Sequence, residues 1–324
     1  LVPNTPTTAI SANMATRWRL SKVIFTSNLV PIPNNGGADR SLVISTVEKA
    51  KQIDKLSSEV DFLVEKHKLI IKRIKIFVLL YYTFNMFNVF LIWLPLRSDI
   101  SSTLYTEDPC PGTVSKLILI NAKVRLYVTS LLYFQDILVT VVVINYQSLL
   151  LFLIAHTVAM YTLISEEILT LNDIADEAEV RDRLAPVIGR HILLLDIVKS
   201  LQSLYNVPIG IDFGANAYFF CLFFTLPLKD WIAFGPLLGY CFIAFFLYCF
   251  LCQKLKDSSV IFEKSVYACG WENFGVSDKK TALIVLKLSQ RPVLLQAAHI
   301  IPIDINTFAS TVQAIYKFVT ALKV

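Results

Sequence analysis

Residues 126–171 read LYVTSLLYFQDILVTVVVINYQSLLLFLIAHTVAMYTLISEEILTL, an apolar run broken by only a few polar side chains. No glycine or proline occurs between positions 113 and 185, so nothing in the local chemistry stops a helix once it has begun. At 1.5 Å per residue the quoted stretch reaches about 65 to 70 Å, against a bilayer hydrocarbon core of about 30 Å. Its first half suits a membrane span, and its second half must protrude. The expected fold is therefore all-α: a polytopic transmembrane helical bundle with long cytosolic helix extensions.

Working outward, four further apolar runs have the length of a span: residues 76–96 (IFVLLYYTFNMFNVFLIWLPL), 207–228, 231–252 and 305–324. Trp93 stands near the end of the first, where interfacial aromatics belong. Only Lys229 and Asp230 separate the third span from the fourth, which implies a tight antiparallel hairpin. Composition agrees, since 55% of residues are hydrophobic and the mean hydropathy is +0.59, whereas soluble domains run at about 45 to 50% apolar.

The remaining segments divide simply. Residues 1–40 carry Pro3, Pro6, Pro31, Pro33 and the pair Gly36-Gly37, and read as an irregular N-terminal segment with no signal-peptide pattern. Residues 41–75 read as a cytosolic amphipathic helix, with Val47, Ile53, Leu56, Val60, Leu63 and Val64 set among charges. The transmembrane bundle occupies 76–252, a cytosolic region 253–304, and a last helix 305–324. Ile168, Leu171, Ile174, Val260, Ile261 and Val266 lie in the polar stretches after the second and fourth spans. They call for an apolar partner, hence either a helical domain on one side of the membrane or plain solvated helix ends.

The formal charge of +5 comes from basic residues beside apolar blocks rather than from one basic arm. That pattern orients a membrane protein and gives no reason to expect a nucleic-acid partner. Lys66, Lys68, Lys72, Arg73 and Lys75 precede the first span, and Lys254, Lys256, Lys264, Lys279, Lys280, Lys287 and Arg291 follow the fourth. Placing both flanks in the cytoplasm leaves the C-terminus extracellular. A G-protein-coupled receptor, with its cytosolic C-terminus, is disfavoured.

No catalytic or metal site emerges. His67, His156, His191 and His299 are scattered along the chain. His156 reads as a hydrogen-bonded packing residue, His67 as solvated and His299 as structural. Cys249 and Cys252 form a CxxC inside an apolar run, which argues against a metal. Cys110 sits in a polar loop, either as a free thiol or in a disulfide to a helix end such as Cys221. No enzyme activity or cofactor is expected.

From Cys252 onward the order of residues is informative. Tyr267 and Trp271, then Lys279-Lys280, then Gln290-Arg291-Pro292, then a short final helix at 308–322 follow one another over some seventy residues. This succession resembles the insect odorant receptor family. Residues 148–171 resemble that family's fourth helix, and the run from His191 to Leu226 the start of its fifth. The five spans would then be the family's third to seventh, and its first two are not recognisable in residues 1–60.

The resemblance implies a tuning subunit of a tetrameric, ligand-gated, non-selective cation channel, partnered by a common co-receptor in the plasma membrane. It assigns 253–304 to a cytosolic anchor region and 305–324 to a pore-lining helix. By 3.6-residue spacing Ser310, Gln313, Lys317, Thr320 and Ala321 share one face of that helix, with the narrow gating position at Thr320 or Ala321. Phe308, Val312, Ile315, Val319 and Leu322 supply its apolar side. Lys317 either faces the pore or snorkels to the interface.

The ligand class implied is a small apolar volatile, bound in the outer membrane half. The side chains placed there are Met86, Phe90 and Trp93 on the first span, Phe134, Ile137 and Val141 on the second, and Tyr240 on the fourth. Two rival readings are a gustatory-type receptor channel and a secondary transporter. The transporter reading rests on Asn145, His156 and Asp212 in or near spans. Phe90→Ala and Tyr240→Ala are each expected to raise the odorant concentration for half-maximal response; unchanged potency in both would remove this pocket.

Overall fold

The computed structural model of the protein describes residues 36–58, 61–105, 113–174, 176–225 and 231–322. Seven α-helices run through these residues: α1 Gly36–Ser58, α2 Asp61–Tyr105, α3 Thr113–Leu169, α4 Glu177–Thr225, α5 Trp231–Tyr267, α6 Val276–Ser289 and α7 Ile305–Leu322. Two short antiparallel strands, β1 Gln296–Ala297 and β2 Ile301–Pro302, pair Gln296 with Pro302 ahead of α7.

The absence of breakers in the quoted stretch has its full effect. α3 is 57 residues long, about 85 Å. It contacts α1, α2, α4 and α5 and is the axis of the bundle. It ends in a 3-10 turn, Thr170–Asp173, where the Thr170 hydroxyl donates to the Glu167 carbonyl at 2.7 Å and the Ile174 N–H donates to Leu171 O at 3.2 Å. Among the described residues, the stretches 137–173 and 235–273 are long and apolar enough to cross a membrane. The spans expected at 76–96, 207–228 and 305–324 fall on α2, α4 and α7, whose described residues do not reach that mark.

Several expectations need correction. The amphipathic segment 41–75 is not one helix, because α1 stops at Ser58 and α2 starts at Asp61. The His67 Nε2–H donates to Asp54 Oδ1 at 2.9 Å, although thirteen residues along one straight helix would set them about 20 Å apart. His67 is accordingly not solvated but 8% exposed. His156, expected to be a hydrogen-bonded packing residue, donates to the same Asp54 oxygen at 2.8 Å. Burial pushes the Asp54 carboxyl up, but the His156 and His67 hydrogen bonds outweigh it and leave the group below its ordinary value. The polar stretch 165–190 is largely helical, shared between α3 and α4. Ile168, Leu171 and Val266 are buried as expected, whereas Ile261 is exposed.

The protruding halves of α3, α4 and α5 pack on one another. Tyr161, His191 and Phe262 meet there, with His191 and Phe262 ring centroids 4.4 Å apart. Burial pushes the His191 imidazole down to about 4, so it is neutral at cellular pH and serves as a third aromatic ring. Two clasps join the chain segments below. Arg181 on α4 grips Asp278 on α6 with Nε and Nη2 at 3.3 and 3.2 Å. Gly270, which ends α5 with φ +75°, lies so close to Asn172 that an added Cβ would collide with its side chain.

Glu166 and Glu167 are sequence neighbours with opposite environments. Glu166 pairs with Lys66 at the surface, while Glu167 pairs with Arg190, which is 1% exposed. Removing one partner of a buried pair strands a charge and costs about 3–5 kcal/mol, whereas exposed pairs contribute about 0–1 kcal/mol. Arg190→Ala is thus expected to lower the melting temperature of the purified protein strongly, and Lys66→Ala to leave it almost unchanged, as read by thermal unfolding.

Candidate functional site

Where α2, α3, α4 and α5 meet, the apolar interior holds a polar cluster. Gln147 on α3 is its hub. Its Oε1 accepts the Tyr81 hydroxyl from α2 at 3.0 Å and the Tyr240 hydroxyl from α5 at 2.7 Å. Asp212 of α4 lies close to Gln147, which brings a fourth helix to the cluster. Tyr248 lies within electrostatic reach of Tyr81, Asp212 and Tyr240, and its hydroxyl has no hydrogen-bond partner among the described residues. Asn85, one turn along α2, donates Nδ2–H to the Tyr81 carbonyl at 2.8 Å and leaves its buried Oδ1 similarly unpartnered.

An acid and an amide inside an apolar bundle are costly to place there, which makes the cluster the candidate site. The cluster offers acceptors and donors from four helices on one spot. A small molecule seated there would meet aromatic walls from Tyr81, Tyr240 and Tyr248, with Gln147 and Asp212 as the polar anchor.

Only part of the expected pocket converges on this place. Tyr240 is in the cluster. Met86 and Val141 are half-buried one to two turns from Tyr81 and Gln147, and Ile137 is half-buried nearly three turns from Gln147, about 15 Å along α3. Phe134 needs correction: it is 61% exposed and belongs to a stripe with Tyr127, Leu131, Leu138 and Val142 that faces out of the bundle. The side chains of Phe90 and Trp93 lie outside the described residues. Sequence reasoning missed Gln147 and Tyr81. Asp212, the one acid in its apolar stretch, entered the sequence reading only as support for a transporter, although it was a signal that could have found the cluster.

The last helix presents two faces. Ile315 and Val319 are buried, with Phe308 and Thr311 half-buried beside them. Phe308 is held by Phe242, Phe245 and Phe246 of α5, at centroid distances of 5.5, 5.1 and 5.5 Å. Ser310, Gln313, Lys317, Thr320 and Ala321 are all exposed, and by helical spacing they centre opposite that packed face. Val312 is exposed as well, so the packed side is narrower than expected. Cys221 is a free thiol; Cys110 lies outside the described residues.

The model of the 7tm odorant receptor family matches residues 40–316. The chain belongs to the insect odorant receptor family. Among its relatives, Odorant receptor 22c of Drosophila melanogaster is 26% identical over 151 residues, 45% of this chain and 37% of that protein. Odorant receptor 22b of the same organism is 26% identical over 154 residues, again 45% of this chain and 38% of the relative. The chain thus spans well under half the length of the curated relatives it matches.

Among solved structures, the insect olfactory receptor OR5 from Machilis hrabei superposes with a TM-score of 0.65, covering 94% of this chain and 86% of that one at 13% identity. The same receptor in complex with eugenol gives 0.62. At that identity the likeness shows the fold, a helical transmembrane bundle. Family membership places the chain among multi-pass membrane proteins. The ordered residues from Tyr267 to Pro292 fall within the matched span.

The odorant receptor's polar hub makes a stability prediction. Gln147→Leu orphans two tyrosine hydroxyls, at about 1–3 kcal/mol for each buried group left unpaired, and should lower the melting temperature. Adding Tyr240→Phe in that background removes one orphan and should recover part of the loss, a sign opposite to that of Tyr240→Phe alone.

Proposed function

We propose that this chain is a tuning subunit of an odorant-gated, non-selective cation channel, assembled with a co-receptor subunit as a heterotetramer in the plasma membrane. The observation that carries this reading is the exposed polar face of α7. Ser310, Gln313 and Lys317 point away from their own bundle, and such residues turned towards lipid would be costly. Water in a shared conduction path satisfies them. The narrow gating position falls at Thr320 or Ala321.

The ligand is a small volatile, largely apolar, recognised at the Gln147 hub with Met86, Ile137, Val141 and Tyr240 nearby. This hub lies deeper along the spans than the outer-half pocket expected from the sequence. Gln147 is 21 residues beyond Leu126, about 30 Å along α3. The N-terminal side and the anchor region at 253–304 are cytoplasmic and the C-terminus is extracellular. The anchor meets its neighbours through the exposed Val276, Leu283, Ile284 and Leu288 on α6, apolar side chains of the kind subunit contacts cover.

Asp212 favours one rival, a secondary transporter, because a carboxyl within a bundle is a common ion- or proton-coupling group. Whole-cell recording separates the two. Co-expressed with a co-receptor and exposed to a volatile panel, the protein should give odorant-evoked current; substrate uptake without current would replace the channel with a transporter. In the channel, Lys317→Ala should move the reversal potential under sodium and calcium gradients towards greater divalent permeability. An unchanged ratio would place this lysine off the pathway.

A further inference from the structure

Between the anchor and α7 the chain makes the β1–β2 hairpin, whose turn is unusual. Ala298 and His299 have φ of 51° and 56°, a left-handed conformation that side-chain-bearing residues rarely adopt. Such a turn persists only where its surroundings hold it. Here α4 does so from three positions on one face, four residues apart: Gln202, Asn206 and Gly210.

The Gln202 side chain acts like a strand edge. Its Nε2–H donates to the Gln296 carbonyl at 2.8 Å, and its Oε1 accepts the Gln296 N–H at 2.8 Å. Asn206 takes both turn amides, its backbone carbonyl accepting from Ala298 at 3.0 Å and its Oδ1 from His299 at 2.7 Å. Gln202 Nε2 also reaches Asn206 Oδ1 at 3.2 Å. Gly210 leaves room for this approach, since a Cβ there would stand 3.1 Å from the Ala298 Cβ. Pro208 sits between them, and its missing N–H leaves the Leu204 carbonyl without a helical donor, a common cause of a kink.

The hairpin leads directly into α7. Asp304 follows β2 by two residues and caps the helix, its Oδ1 accepting the Thr307 N–H at 2.8 Å. Thr307 Oγ1 donates back to the Pro302 carbonyl at 2.7 Å. The first turn of α7 is therefore fixed to β2, which pairs with β1, and β1 and the turn are fixed to α4. Four residues above Pro208, α4 carries Asp212 of the polar hub.

We propose that Gln202, Asn206 and Gly210 are positioning residues that clamp the 296–302 hairpin onto α4 around Pro208. The clamp makes a shift of α4, whose Asp212 belongs to the ligand hub, arrive at the first turn of α7. The docking half of this inference stands on hydrogen bonds alone; the gating half rests on the channel reading.

Two measurements on the full chain test it. In purified protein, amide hydrogen exchange at 296–303 should rise roughly tenfold in Asn206→Ala, the factor that corresponds to losing one such bond. Exchange at 150–160 should not change, and Asn206→Asp, which keeps the acceptor oxygen, should stay near wild type. Unaltered exchange at 296–303 in Asn206→Ala would overturn the clamp, whether or not any odorant evokes current. In recordings with the co-receptor, Asn206→Ala and Gln202→Ala should shift the half-maximal odorant concentration severalfold, at normal surface level and unchanged relative cation permeability. Raised exchange with no shift in the concentration–response curve would overturn the transmitting role. Wild-type protein silent to every odorant tested, with exchange behaving as expected, would reject the channel reading and the transmitting role while leaving the clamp itself supported.

Discussion

A helix almost three times as long as a bilayer is thick cannot be satisfied by lipid alone. α3 runs 57 residues without a break, and its lower half needs a protein partner for Leu153, Ile154, Leu163, Ile164 and Ile168. The rest of the chain supplies one. α4, 49 residues long, and α5, 37 residues long, also overrun the membrane and close around α3 with Tyr161, His191 and Phe262 at the centre. α1 and the start of α2 close the remaining side, where two histidines meet Asp54. The bundle is thus one continuous core along one set of helices, and the helices that leave the membrane carry their packing with them.

The polar groups in the upper part of the core are few and mutually dependent. Gln147 satisfies two tyrosines with one oxygen, so α2, α3 and α5 share a single amide, and Asp212 of α4 lies beside it. Such a junction is rigid when complete and sensitive to any molecule that competes for one of its bonds. α4 is the element that leaves it most directly, passing Pro208 on its way to the hairpin and the last helix.

Much of this was legible from composition and spacing. The length of α3 followed from the missing glycine and proline, the two faces of α7 from a 3.6-residue period, and the family from the order of Tyr267, Trp271, Lys279-Lys280 and Gln290-Arg291-Pro292. What stayed hidden depends on pairing across distant parts of the chain. His67 reads as solvated because its neighbours are lysines, yet Asp54 on the preceding helix folds back onto it. Phe134 looks like a pocket aromatic, but its rotation about α3 is set by where Ile144 and Gln147 must face. Gln147 is an ordinary polar residue until Tyr81 and Tyr240 are seen to meet it. The hairpin at 296–302 has neither the glycine nor the asparagine that usually announces such a turn; its conformation is imposed by Asn206, ninety residues earlier.

The outer face of α6 bears on the life of the chain in the cell. Val276, Ile284 and Leu288 are more than half exposed on a helix only 14 residues long, and an uncovered apolar surface of this kind is a site for aggregation and for chaperone and protease capture. A copy whose α6 face stays uncovered is therefore more open to cellular quality control than one whose face is buried against another surface.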